Sequence, residues 1–109
     1  MERYVPDAGD IVWLSFDPQA GREQAGHRPA LVLSPAAYNA KTSLMVCCPM
    51  TMQIKNYPFE VVIAGTPASA VLADQVKSLD WRQRRASRKG TASAAELADV
   101  RAKIRALIG

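Results

Sequence analysis

The stretch DIVWLSF, residues 10–16, alternates Val12, Leu14 and Phe16 with Ile11, Trp13 and Ser15. A two-residue period is that of an extended strand, whose successive side chains point to opposite faces. Working outward, residues 17–28 carry Gly, Gln, Asp and Arg with no apolar period, which predicts a long mobile loop. ALVLS (30–34), entered through Pro29, reads as a short strand, and SPAAYNAKT as a turn of the chain. SLMVCCPM (43–50) and FEVVI (59–63) read as further strands, and AVLADQVKSLDW (70–81) as a longer strand with polar interruptions. The closing segment SAAELADVRAKIRALIG (93–109) predicts a helix. Ser93 and Glu96 have capping-box spacing, and Leu97, Val100, Ile104, Leu107 and Ile108 make one apolar stripe expected to pack on the core. Acidic residues early and basic residues late suit the helix dipole. Short strands closed by one helix predict a mainly β fold, a small twisted sheet or partly closed barrel.

At 109 residues the chain is expected to form one domain, 1–109, around a single modest core. It is 49% hydrophobic and 22% charged, which is the composition of an ordinary globular protein. The apolar run LMVCCPM is too short to span a bilayer, and MERYVPDAGD lacks the build of a signal peptide, so the expected location is the cytoplasm. Cys47 and Cys48 are adjacent, and neighbours on a strand face opposite ways, which predicts neither a disulfide nor a shared metal site. With one histidine and no clustered carboxylates, any chemistry is expected to run without a metal or other cofactor.

The net charge of +4 is a local feature. RQRRASRKG (82–90) holds Arg82, Arg84, Arg85, Arg88 and Lys89; without these five, the 14 Lys/Arg become nine against ten Asp/Glu. Such a block suits phosphates or an acidic partner peptide, and it equally suits a solvated loop that aids solubility.

The loop ends in GREQAGHRP (21–29). Pro29 biases Arg28 toward an extended backbone, which would hold a permanently charged guanidinium fork at the mouth of a strand. Gly21 and Gly26 would let the backbone approach a ligand, and Glu23 could accept a proton. A Glu23–Arg28 surface ion pair on an idle loop accounts for the same residues. Further on, Thr51, Gln53 and Lys55 stand two residues apart, on one face if extended. Asp74 and Gln75 interrupt an apolar strand, so they either brace loops or read a ligand. Tyr57 could stack on a base or sit at a rim.

Taken together, RYVPDAGDIVWLSFDP, GREQAGHRPALVLSP, YNAKTS, NYPFEVV, LADQVKSLDWR and KIRALIG resemble the MazF/PemK toxins of bacterial toxin–antitoxin systems, in order and over nearly the whole chain. The resemblance implies an SH3-like CcdB/PemK-type barrel, a homodimer, and sequence-specific cleavage of single-stranded RNA. It also implies inhibition by a MazE-like antitoxin whose acidic tail lies across the RNA site. The family motif E-Q-x-G-x-R-P is present as Glu23, Gln24, Gly26, Arg28 and Pro29; the family's strand-end threonine corresponds to Thr51, and its D-Q pair to Asp74–Gln75. Two positions depart from the PemK branch: Arg22 stands where that branch has a histidine, and Leu72 where it has an arginine. A histidine acid or base at the first position therefore does not carry over, which leaves the proton donor open between His27 and water.

What this implies is a ribonuclease in which Glu23, Arg28 and Thr51 are catalytic, with Gln24, His27, Gln53, Lys55, Tyr57, Gln75 and Lys77 contacting RNA. RNA supplies its own nucleophile in the 2′-OH. Two other classes fit the scaffold: a nucleic-acid-binding module without catalysis, and a gyrase poison of the CcdB kind. Those poisons carry an aromatic residue near the end of the last helix, whereas this chain ends in RALIG.

Overall fold

A computed structural model describes residues 4–15, 27–65 and 67–109. Phe16, Glu23 and Gln24, and most of the 17–28 loop, lie outside the described residues. Seven strands and two helices follow in the order β1 (Asp10–Ser15), β2 (His27–Val32), α1 (Ala36–Thr42), β3 (Leu44–Thr51), β4 (Glu60–Ile63), β5 (Ser69–Leu72), β6 (Lys77–Asp80), β7 (Ser87–Thr91) and α2 (Ala94–Ile108). The strands form one antiparallel sheet in the order β4-β5-β3-β2-β1-β7, with β6 also paired to β3. The architecture is a mainly β half-barrel carrying a C-terminal helix.

The 10–16 alternation produces two cores. Ile11 joins Leu31, Cys48, Met50 and Val71 on the face covered by α2, where Val100 is fully buried. Val12 and Leu14 join Val32, Met45, Cys47 and Trp81 on the other face, closed by Tyr4, Val5 and Ala86. Both registers of the central strands are apolar because both faces are covered. Cys47 and Cys48 accordingly fall into different clusters.

Four elements differ from the sequence reading. The strand after the loop starts at His27, ahead of Pro29, because β2 pairs with β1 through Leu14↔Arg28 and Ser15↔His27. SPAAYNAKT contains the helix α1, which is fixed by distant partners. Asp7 Oδ1 accepts the Ala36 N–H at 2.9 Å, buried Asn39 donates to Pro6 O at 2.7 Å, and the Trp81 indole donates to Asn39 O at 2.9 Å. The 70–81 segment is two strands. The edge of β3 opposite β2 is shared between β6, at Leu44–Cys47, and β5, at Met50–Thr51, and the chain turns at Asp74 between them. The last four residues of the basic run enter β7, which pairs with β1 as Val12↔Arg88 and Trp13↔Ser87.

Helix α2 begins with the expected capping box: Ser93 Oγ accepts Glu96 N–H at 3.1 Å, and Glu96 Oε1 accepts Ser93 N–H at 2.8 Å. Leu97 and Ile104 pack beside Val100, but the stripe leaves the core at its end: Leu107 is 49% and Ile108 79% exposed. At the other end of the sheet Gly9, with φ +92°, accepts the Ala92 N–H and donates to Val32 O. A Cβ there would adopt the left-handed region unfavourable to L-residues.

Candidate functional site

Two cavities meet at Thr51, the last residue of β3. The first, about 450 Å³, is lined by Thr51, Gln53, Lys55, Tyr57, Glu60, Leu72, Asp74 and Gln75. The backbone of 53–57 is not a strand, yet it delivers Gln53, Lys55 and Tyr57 to one cavity with Thr51. Glu60, at the start of β4, organises this segment: its carboxylate accepts the Lys55 N–H at 3.0 Å and the Tyr57 N–H at 3.4 Å, around Asn56 at φ +58°. The Tyr57 hydroxyl donates to Asp74 across the cavity, tying the segment to the β5–β6 turn. That hydrogen bond to a carboxylate, which favours the protonated phenol, raises the Tyr57 pKa above its ordinary value.

The second cavity, about 610 Å³, is a groove whose walls include Trp13, His27, Arg28 and Lys89 on one side and Ala64, Gly65, Pro67 and Ser69 on the other. Met50, Thr51 and Met52 also line it. Trp13 and His27 meet edge-on with ring centroids 6.4 Å apart, because Trp13 lies opposite Pro29 and Ser15 opposite His27. Lys89 Nζ stands 5.2 Å from the Trp13 ring centroid, within cation–π range. Thr51 Oγ1 accepts the Gln53 N–H at 3.1 Å, which leaves the hydroxyl proton able to donate into either cavity.

The fold thus gathers Thr51, Gln53, Lys55, Tyr57 and Gln75 in one cavity and His27, Arg28 and Thr51 in the next. Lys77 lies apart, in a third and smaller cavity beyond Pro29. Glu23 and Gln24 belong to the segment outside the described residues. Trp13 and Lys89 were not singled out from sequence. Trp13 reads there as one member of a strand pattern and Lys89 as one of five cations, and only the β1–β7 pairing brings them together. Among the described residues, no cluster of three or more His, Cys, Asp or Glu could hold a metal ion, and no helix is long and apolar enough to cross a membrane.

A half-barrel with an aromatic and cationic groove, joined through a threonine to a cavity of amides and carboxylates, is a surface suited to an extended, negatively charged polymer with flat bases. The sequence matches the PemK-like, MazF-like toxins of type II toxin–antitoxin systems over residues 7–108, and the chain belongs to that family. It is 57% identical to the endoribonuclease toxin MazF of Escherichia coli (strain K12) over 110 aligned positions, covering all of this chain and 99% of that protein. Among solved structures, the MazE–MazF crystal structure (Form II) from Deinococcus radiodurans superposes with a TM-score of 0.93 at 57% identity, covering 98% of each chain. The MazF crystal structure (Form I) from the same organism superposes at 0.86, also with 57% identity, covering 98% of this chain and 99% of that one.

Proposed function

We propose that this chain is the toxin of a type II toxin–antitoxin pair, a metal-independent endoribonuclease that cuts single-stranded RNA at specific sequences and acts as one domain over residues 1–109. The observation that carries this reading is the presence of Arg28 and Thr51 in one groove that opens through Thr51 into a cavity of amides and carboxylates. The first supplies charge and a hydroxyl for a phosphate, and the second supplies donors and acceptors for base edges. Family membership supports the same conclusion.

In the proposed reaction the 2′-OH loses its proton to Glu23 and attacks the adjacent phosphorus. The new 2′-O–P bond forms as the P–O5′ bond breaks, leaving a 2′,3′-cyclic phosphate and a 5′-OH. Arg28 stabilises the charge that develops on the pentavalent phosphorane, where a preorganised cation counts most. Thr51 donates to a non-bridging oxygen. The departing 5′ oxygen takes a proton from His27 or water, since a guanidinium is too weak an acid to supply it. Gln24 on the loop, with Gln53, Lys55, Tyr57 and Gln75, would read the bases. Trp13 offers a stacking face beside the cations.

An antitoxin partner is inferred from the MazE–MazF structures that this chain resembles; its acidic tail would compete with RNA for the cationic groove. A homodimer is inferred from the small core and the apolar residues left open at the end of α2. The proposed place of action is the cytoplasm, where messenger RNA is available.

The test is cleavage of a defined single-stranded RNA by purified protein in EDTA, beside the same RNA carrying 2′-deoxy at the residue 5′ of the cut. Cleavage of the first with a cyclic-phosphate end, and binding without cleavage of the second, is the expected result. Cutting of the deoxy substrate at the normal rate would overturn the mechanism.

A further inference from the structure

The 53–57 segment carries side chains that line the first cavity, yet it belongs to no helix or strand, and Gln53, Lys55, Asn56 and Tyr57 are all exposed. Asn56, at φ +58°, lies in the left-handed region, which an L-residue does not hold by its own preference. Such a segment needs a tie from outside to present one shape. The Glu60 carboxylate is that tie. Its Oε1 accepts the Lys55 N–H at 3.0 Å and the Tyr57 N–H at 3.4 Å, on either side of Asn56, and Oε2 shares the Lys55 N–H at 3.2 Å. Bonds to an ionised acceptor are stronger than those between neutral groups. The carboxylate itself stands on fixed backbone: Glu60 pairs with Leu72 at the start of β4, Phe59 O accepts the Ala73 N–H at 2.9 Å, and Val61 is buried.

We propose that Glu60 is a positioning residue that fixes which RNA sequences are cut, acting through the backbone of Lys55 and Tyr57 and not on the reacting bond. The inference rests on the ribonuclease reading above. Glu60 lines the cavity of amides and carboxylates but not the groove that holds Arg28, so its loss reaches the bases before it reaches the phosphate. Without it Gln53, Lys55 and Tyr57 lose their common frame. Hydrogen bonds to base edges discriminate only while their donors and acceptors are held in place, so selectivity is what the frame supplies. The competing role is a direct contact from the carboxylate to a base, and glutamine separates the two. It keeps an oxygen in the place of Oε1, able to take both N–H bonds, but sets an NH₂ donor where Oε2 would face a base.

The test exposes a pool of single-stranded RNAs of randomised sequence, in EDTA, to the native chain, Glu60→Ala and Glu60→Gln, and maps the cuts by sequencing the 5′ ends. Steady-state constants are then measured on the RNA the native chain cuts best and on its single-base variants. In Glu60→Ala, discrimination between the best RNA and at least one single-base variant should fall by about tenfold, with KM for the best RNA raised and kcat within about threefold of native. Glu60→Gln should restore most of the discrimination and of the KM. A merely structural role would lower the fraction of active protein, which reduces kcat on every RNA alike and leaves the preferences between them unchanged; that result overturns the proposal. A Glu60→Gln chain as unselective as Glu60→Ala also overturns it, because the carboxylate would then touch a base itself. Native cleavage with unaltered preferences in Glu60→Ala removes the positioning role alone. A pool left uncut by the native chain means that the ribonuclease reading fails, and the positioning role fails with it.

Discussion

Glu96 Oε2 accepts the backbone N–H of Ala64 at 3.0 Å, across 32 residues of chain. The other oxygen of the same carboxylate caps α2 through Ser93 N–H. One side chain therefore starts the C-terminal helix and also holds Ala64, a wall residue of the groove that contains Arg28. Glu96→Ala should cost about 1 kcal/mol of stability through the lost cap and strap, and should raise KM for RNA. Ser93→Ala removes the cap while leaving the Ala64 contact, so a comparable loss of stability there should leave KM nearer the native value. Urea unfolding paired with cleavage kinetics checks both effects.

The same carboxylate gives a pH dependence. Its hydrogen bonds from Ala64 and Ser93 hold the Glu96 pKa below the ordinary glutamate value. A depressed folded-state pKa contributes stability that is present above the unfolded value of about 4.3 and is lost as pH falls through the lower folded value. The difference in urea midpoint between the native chain and Glu96→Gln should therefore be constant near neutrality and shrink below about pH 4. A difference that persists undiminished at acid pH would mean the carboxylate charge contributes nothing.

Elements specified by their own periodicity were legible in the sequence. The alternation at 10–16 gave β1, the adjacent Cys47 and Cys48 fell into opposite cores, and Ser93 with Glu96 marked the start of α2. Elements held by distant partners were not legible. Helix α1 has few apolar anchors, and its fixed point is Asn39, whose partners Pro6 and Trp81 lie elsewhere in the chain. Strand β7 reads as charge because it is a solvent-facing edge, the usual place for Lys and Arg in a sheet. The candidate site divides the same way. Thr51, Gln53 and Lys55 were found by their spacing, although Glu60 and not a strand supplies the geometry that gathers them. Trp13 and Lys89 were hidden because only the β1–β7 pairing joins them.

Both thiols should be inert in the folded protein. Burial pushes Cys47 up to about 11, against the pull of Lys77 and Arg84, and Cys48 up to about 12. The thiolate is the reactive form, so a thiol reagent at pH 8 should label neither cysteine on the timescale of the free amino acid, and should label both in denaturant. Because these folded-state values are raised, the stability they carry is intact below the ordinary thiol pKa and is lost as pH rises through about 11 to 12. Alkaline unfolding should shift upward in a Cys47→Ala/Cys48→Ala chain when measured relative to its own neutral-pH stability.

The exposed end of α2 predicts association. Leu107 and Ile108 lie open at its last turn. A two-fold pairing would cover such a patch with its own copy. Sedimentation at micromolar concentration should give about twice 11.8 kDa. Leu107→Asp/Ile108→Asp should shift the protein toward the monomer while α2 stays folded, since Val100 and not these residues anchors it. A native chain that sediments only as the single-chain species would refute the dimer.

Arg28 and Thr51 should separate in kinetics because they are assigned different parts of one step. Arg28 acts on charge that exists fully only in the transition state, so Arg28→Ala should lower kcat by about 10²–10³, on the order of 3–4 kcal/mol. KM should change much less, because ground-state phosphate can still be held by neighbouring cations such as Lys89. Thr51→Val keeps the shape but removes the hydroxyl donor and the bond that Oγ1 accepts from Gln53 N–H, so its loss should be nearer tenfold in kcat, about the cost of one neutral hydrogen bond in the transition state, with a smaller rise in KM from Gln53. The double variant should lose less than the product of the two single losses, because both groups act on the same phosphate oxygens. The fold should survive in each case: Arg28 is exposed, and Thr51 lies at the open end of β3. Should Arg28→Ala instead raise KM at constant kcat, the arginine merely binds RNA, and the stabilisation of the phosphorane must come from another residue.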